Sequence, residues 1–230
     1  MFKQIKTHDL FPTPVWSLDL EEETAERLNR QIMVQLDRLL TPRPNIPVGA
    51  TWQTDQQLHT LPAFAELTRC IEKAARGALE FMAVDYSRFE ITACWANINP
   101  QGSLNSSHTH PNNYLSGVYY VRVPEGAGAI VFEDPRSAAG AILPKVKAYN
   151  AYNGNKATFE IAEGRFLLFP AYLRHGVPVN RSAGDRVSIA YNIMFSGFTE
   201  EMARPLWNGL PLDGARGGAS GGRRGGREEP

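Results

Sequence analysis

Five histidines occur in the chain, and two of them, His108 and His110, stand two residues apart. On an extended backbone, residues two apart face the same side, so two imidazoles can converge on one point. Neutral imidazole is a common ligand for transition metals. A third histidine, His175, follows an apolar run at 166–169 and the short turn Pro170-Ala171-Tyr172. It could complete a mononuclear site from a neighbouring strand. Arg186 and Ser188 lie on the next strand, again two apart. A guanidinium fork beside a hydroxyl suits the clamping of a carboxylate. Asp134, held by Pro135, ends a core strand and could offer the metal a carboxylate. Singly, each has a plainer role. A lone histidine is usually satisfied in a core or loop, a lone arginine is usually a surface ion-pair partner, and Asp before Pro is common in turns. The two close histidines could simply be solvated at the start of a strand. The order sets the group apart: a paired-histidine strand, a later histidine, then Arg-x-Ser one strand on.

The elements that must position these residues follow from periodicity. Residues 15–20 alternate and read as an edge strand, with Pro12 and Pro14 just before it. Glu21, Glu22 and Glu23 open a helix whose apolar stripe is Leu28, Ile32, Leu36, Leu39 and Leu40. A loop at 45–58 precedes a second helix, which begins near Pro62 and carries Phe64, Leu67, Ile71, Ala74, Ala78 and Leu79 at helical spacing. Two such helices should cover one face of a sheet. From Phe89 the chain reads as strands: 89–99, the run after the histidine pair, 129–132, 157–161, 165–169, 173–179 and 185–195. Residues 137–152 read as a loop with room for one short strand. Ala162-Glu163-Gly164 reads as a hairpin turn between its flanking strands. The expected class is mainly β with flanking α-helices, a sandwich or jelly roll. One domain should span 1–212, with a helical part at 1–88 and a jelly-roll core at 89–198. The Gly/Arg-rich segment 213–230 has almost nothing to bury and should be a disordered, solvated tail rather than an RNA-binding arm.

Composition excludes several classes. The chain has 24 basic and 24 acidic residues, so nothing global points to nucleic acid or a membrane surface. The apolar fraction of 43% supports a sizeable core. Cys70 and Cys94 are the only cysteines and form no CxxC. With no apolar leader-like run near Met1 and no spanning stretch, a cytoplasmic, reducing setting is the expectation. The edge strand near Val15 could pair with a second copy, giving a homodimer.

The sequence resembles the 2-oxoglutarate- and iron(II)-dependent dioxygenases, in particular a bacterial subgroup of them. The resembling residues are His108-Thr109-His110-Pro111, Ser116-Gly117-Val118-Tyr119-Tyr120, Phe132-Glu133-Asp134-Pro135-Arg136, Phe169-Pro170, His175 and Arg186-Val187-Ser188. They span about 95–195. The resemblance implies a double-stranded β-helix (a cupin-like jelly roll) with iron(II) at its open mouth and 2-oxoglutarate as co-substrate. By position His108 matches the first metal ligand and His175 the distal one. His110 falls where the family keeps a carboxylate. Either three histidines bind the metal, or Asp134 supplies the carboxylate and one of the pair stands behind. Three imidazoles are neutral and leave the metal with more net charge than a two-His-one-carboxylate set. The resemblance gives Arg186 the distal carboxylate of 2-oxoglutarate, assisted by Ser188, with Tyr120 and Asn97 as further pocket candidates. The implied reaction hydroxylates a second substrate while 2-oxoglutarate is decarboxylated to succinate.

Two other readings compete. A cupin-like three-histidine metal enzyme would not need 2-oxoglutarate, and it leaves Arg186-Val187-Ser188 without a purpose. A non-catalytic jelly-roll binding module makes the histidine order accidental. A zinc hydrolase lacks an HExxH arrangement. The substrate, whether a small molecule, a peptide side chain or a lipid, is not written in the loops 45–58 and 137–155 that could wall the mouth.

Overall fold

Alternation in the sequence becomes ten strands among the residues that the computed structural model describes, namely 1–41, 45, 47 and 49–197. They are β1 (Trp16–Asp19), β2 (Trp52–Gln53), β3 (Phe89–Asn99), β4 (Asn105–His108), β5 (Leu115–Arg122), β6 (Ile130–Glu133), β7 (Lys156–Phe159), β8 (Arg165–Pro170), β9 (His175–Val177) and β10 (Arg186–Phe195). A six-stranded sheet has the order β1-β8-β5-β10-β3-β2, and a four-stranded sheet the order β4-β9-β6-β7. All pairings between named strands are antiparallel. The eight strands β3 to β10 thus divide into two facing sets of four, β8-β5-β10-β3 and β4-β9-β6-β7. This is the double-stranded β-helix expected above. The N-terminal part is not purely helical: β1 and β2 extend the larger sheet at its two edges. Residues up to Ser196 form one compact unit, and the tail expected at 213–230 lies outside the described residues.

Two helices cover the outer face of the larger sheet. Helix α1 (Glu22–Leu39) starts with Glu22 and Glu23 in its first turn, where acidic groups complement the helix dipole. It buries Ala25, Leu28, Ile32 and Leu36, a stripe at three- and four-residue spacing. Helix α2 (Ala65–Phe81) follows a 3₁₀ turn begun by Pro62 and buries Leu67, Ile71, Ala74, Ala75, Ala78 and Leu79. Both stripes merge with Cys94, Tyr119, Ile189 and Tyr191 of the sheet into the main core. A smaller cluster, including Tyr120, Ile130, Phe132, Leu167 and Phe169, fills the space between the sheets.

Two expectations fail locally. Residues 137–152 contain no strand; a 3₁₀ turn, Ser137–Gly140, is their only regular element. The segment at 162–164 is not a hairpin, because β7 pairs with β6 whereas β8 pairs with β1 and β5. Gly164 is the cause. Its N–H donates to the Tyr120 carbonyl at 2.9 Å and its own carbonyl accepts from Leu20 N–H at 3.1 Å. Both partners belong to the larger-sheet side, so the chain changes sheets at this corner. Gly164 has φ +81, and a Cβ there would come within 2.6 Å of Ala25 Cβ.

Gly117 on β5 faces Tyr191 on β10 across the pair, and a Cβ at Gly117 would lie 2.4 Å from the tyrosine ring. Tyr191 is fully buried and has no room to retreat. Gly117→Ala should therefore cost about 1–3 kcal/mol by overpacking. Urea unfolding should show a lower midpoint with an unchanged slope.

Candidate metal and co-substrate site

Strand pairing brings the three histidines together. His108 ends β4 and stands opposite His175, the first residue of β9. His175 in turn faces Phe132 of β6. His110 follows two residues after His108, and its backbone N–H donates to the Ala171 carbonyl at 3.0 Å, which ties it to the turn before β9. The ring centroids lie 4.9 Å apart for His108 and His110, 4.6 Å for His108 and His175, and 5.2 Å for His110 and His175. One nitrogen from each ring can be chosen so that all three lie within 4.8 Å of one another.

The rings are prepared as ligands. His108 Nδ1 is 2.7 Å from the Ser106 carbonyl, and His175 Nδ1 is 2.9 Å from the Leu173 carbonyl. A carbonyl can only accept, so each Nδ1 carries a proton, which makes Nε2 the nitrogen available to a metal. Burial, helped by the neighbouring His175 and His108, pulls the pKa of His110 down to about 4. Burial does the same for His175, also to about 4, against the opposing pull of its Leu173 hydrogen bond. Both rings are therefore neutral at pH 7 and able to donate to a metal.

The second half of the site lies on the larger sheet. Ser188 of β10 stands opposite Asn97 of β3 on one side and Tyr120 of β5 on the other, and Asn97 is opposite Gln53 of β2. Four polar side chains thus form one row across four strands. Arg186 begins β10, two residues before Ser188. All of these, with the three histidines, line one cavity of about 130 Å³ between the sheets.

Arg186 is the largest side chain that is fully buried. Its Nη1 donates to the Ala127 carbonyl at 2.6 Å, while its Nη2 is buried without a partner. No carboxylate among the described residues pairs with it. Burial accordingly lowers its pKa, with Tyr120 pulling the other way. An uncompensated buried charge costs several kcal/mol, so a group of this kind calls for an anion.

Asp134 is placed differently. Its Oδ1 accepts from Arg136 N–H at 2.9 Å and Nε at 3.0 Å, and its Oδ2 accepts from Arg136 Nη2 at 2.7 Å. The Arg136 hydrogen bond lowers its pKa. Its carboxylate is occupied by its neighbour and is not part of the histidine cluster. The preceding Glu133 accepts from Ser107 and pairs with Lys156. Among the described residues, no acidic side chain lines the cavity.

Three lining residues carried no signal in the sequence. Gln53 enters on a two-residue strand within a polar loop. Trp95 shares the β3 face of Asn97 and comes within 6.0 Å of the His110 ring, centroid to centroid. Asn105 begins β4 and accepts from Asn99 Nδ2 at 3.2 Å. For Trp95, two residues from Asn97, alternation was the available clue; Asn105 is three residues from His108, and only the register shift in β4 brings both to the cavity. A larger groove of about 540 Å³, lined by Ser107, Val131, Glu133 and Gly176 among others, shares Asn105 and Val177 with the cavity but none of the histidines or Arg186.

Residues 93–192 match a family model described as "Putative 2OG-Fe(II) oxygenase". Among solved structures, the chain is similar to a Pseudomonas putida prolyl-4-hydroxylase, at 14% identity, covering 80% of this chain and 94% of that one, with a TM-score of 0.55. It is similar to HygX from Streptomyces hygroscopicus, solved with nickel and 2-oxoglutarate bound, at 15% identity over 80% and 83% of the two chains, with a TM-score of 0.54. It is also similar to SnoN, an alpha ketoglutarate dependent epimerase from nogalamycin biosynthesis, at 13% identity over 80% and 79%, with a TM-score of 0.57. At these identities the likenesses establish the fold. No curated protein matches the chain. No helix among the described residues is long and apolar enough to cross a membrane.

The arrangement gives the histidines and Asp134 opposite expectations. His110→Ala and His175→Ala should each reduce bound iron(II) from one equivalent to a small fraction of it under anaerobic equilibrium dialysis. Asp134→Ala should leave the stoichiometry at one, because its carboxylate is engaged by Arg136.

Proposed function

We propose that this chain is a member of the 2-oxoglutarate/Fe(II) oxygenase superfamily, a reading supported by the family model over residues 93–192, and a dioxygenase that holds iron(II) with His108, His110 and His175 and binds 2-oxoglutarate through Arg186. The observation that carries this reading is the buried guanidinium with a free Nη2 and no carboxylate partner, facing the cavity that the histidines line. The residues fit both groups. Three imidazoles offer ring nitrogens to one point in the cavity, and the guanidinium fork lines the same cavity. When bound, iron(II) and 2-oxoglutarate would activate dioxygen, one oxygen atom going into succinate as carbon dioxide is lost and the other into the hydroxyl group of a second substrate.

The chain's own part is to bind, orient and exclude water. Arg186 receives the distal carboxylate, and its Ala127 hydrogen bond keeps the fork from swinging away. Ser188, in line with Tyr120 and Asn97, offers polar contacts one step nearer the histidines. Phe169, against the His175 ring at 4.6 Å between centroids, and Trp95, beside His110, form an apolar collar that limits stray water.

The three-histidine donor set favours a second reading, a cupin-like metal enzyme without 2-oxoglutarate. That reading gives Arg186 no partner and ranks below the first.

Anaerobic iron(II)-loaded protein should develop a weak visible charge-transfer band on addition of 2-oxoglutarate, and in air it should convert 2-oxoglutarate to succinate. Arg186→Ala should weaken 2-oxoglutarate binding by about 10- to 100-fold, the loss expected for charge-assisted hydrogen bonds, and leave iron(II) stoichiometry at one. Unchanged 2-oxoglutarate affinity in Arg186→Ala would sink the assignment. Iron uptake without any 2-oxoglutarate binding by the unsubstituted protein would favour the second reading, and no iron uptake at all would favour a non-catalytic module.

A further inference from the structure

We infer that Gln53, on the edge strand β2, is a positioning residue for the co-substrate: it fixes the amide of Asn97 so that an N–H, not an oxygen, faces the cavity. The inference rests on the reading of the cavity as a 2-oxoglutarate site.

Gln53 Nε2 donates to Asn97 Oδ1 at 2.7 Å. An asparagine side chain has one accepting end and one donating end. With its oxygen engaged by Gln53, Asn97 has its NH₂ left for whatever occupies the cavity. Asn97 is only 7% exposed and stands opposite Ser188, so that NH₂ belongs to the same polar row as the hydroxyl. A carboxylate or keto oxygen accepts hydrogen bonds and never donates them. Asn97 therefore adds a donor to the Ser188 and Tyr120 hydroxyls only while it is held this way round. Turned by 180°, Asn97 would set a carbonyl oxygen against an anion.

The backbone makes Gln53 a firm anchor although its own side chain is exposed. Strand β2 has just two residues, in register as Trp52↔Ile98 and Gln53↔Asn97. The next residue locks that register. Thr54 N–H donates to the Ala96 carbonyl at 3.1 Å, and Ala96 N–H donates to Thr54 Oγ1 at 2.9 Å. A second amide bridge runs alongside, with Asn99 Nδ2 donating to Thr51 Oγ1 at 2.8 Å and to Asn105 Oδ1 at 3.2 Å. The polar loop before β2 thus reaches the co-substrate through one side chain.

The test uses the full chain loaded with iron(II) under anaerobic conditions and titrated with 2-oxoglutarate, following the charge-transfer band. Gln53→Glu replaces the donor with an acceptor. It should draw the NH₂ of Asn97 to itself and turn the Asn97 oxygen inward, raising the dissociation constant for 2-oxoglutarate about tenfold or more. Iron(II) stoichiometry and thermal midpoint should not change, since position 53 is exposed. The decisive comparison repeats Gln53→Glu in an Asn97→Ala background, where its additional effect should shrink to less than about twofold. A loss that persists undiminished there would mean that the new charge acts directly, and would overturn the positioning role. Unchanged affinity in Gln53→Glu alone would overturn it too, while leaving the Arg186 assignment standing. No 2-oxoglutarate binding by the unsubstituted protein would overturn the underlying reading and this inference together.

Discussion

Strand β10 is hydrogen-bonded on both sides, to β3 over ten residue pairs and to β5 over seven. Strand side chains alternate, so this double registration decides which residues of three strands share the cavity. It sets Ser188 between Asn97 and Tyr120, places Arg186 two residues deeper, and sends Val187, Ile189 and Tyr191 to the helix-covered face. A slip of one residue would exchange the two sets. Arg186 would then press into the apolar core under α1 and α2, and a valine would stand in the cavity. The helices carry no site residue, yet they hold the register: burying their stripes against one face of the sheet makes the other face the only place for polar groups.

The cost of that arrangement is concentrated in Arg186. A guanidinium with one hydrogen bond to a backbone carbonyl and one buried nitrogen without a partner is far from satisfied. In the main core Tyr119 pairs with Asn29 at 2.6 Å, and the one buried hydroxyl there without a partner, that of Tyr191, is neutral, so it costs far less than a charged nitrogen. The contrast places the unmet demand inside the cavity. It also explains why the turn between β5 and β6 contains Gly126 and Gly128 at φ +80 and +92. Glycine adopts such angles freely, and the turn they permit brings the Ala127 carbonyl onto the guanidinium.

Most of the elements, and part of the site, could be read from residue order. Strand β3 runs from Phe89 to Asn99 as its alternation predicts, and both helices follow their apolar stripes. Local periodicity is a strong signal when an element is long and one face is buried. It fails where pairing is decided at a distance. Residues 157–161, 162–164 and 165–169 look like a hairpin, because a glycine-containing turn between two apolar runs has no local mark that says the runs belong to different sheets. Gln53 was invisible for a similar reason: two residues have no periodicity, and β2 exists only because β3 offers it an edge. Which faces Tyr120 and Asn97 take could not be known before Ser188 was seen between them. His175 was legible because its residue type is rare in this chain and its place in the order is informative.

His110 and Arg186 look like two separate oddities, and charge makes them one. The related family sets a carboxylate where His110 stands, and that carboxylate would offset part of a metal's charge. Here all three candidate donors are imidazoles, Asp134 is engaged by Arg136, and Glu133 is engaged by Ser107 and Lys156. The cavity is therefore lined by a guanidinium and three imidazoles, with no acidic residue among the described ones that line it. A neutral occupant would leave the guanidinium and a bound divalent metal both uncompensated in a region of low polarity, where unscreened charge is most expensive. A dicarboxylate has one negative group for each end. Loss of the protein carboxylate therefore increases the site's dependence on an anionic co-substrate, and the donor set that first argued for an enzyme without 2-oxoglutarate becomes, beside Arg186, a reason to expect it.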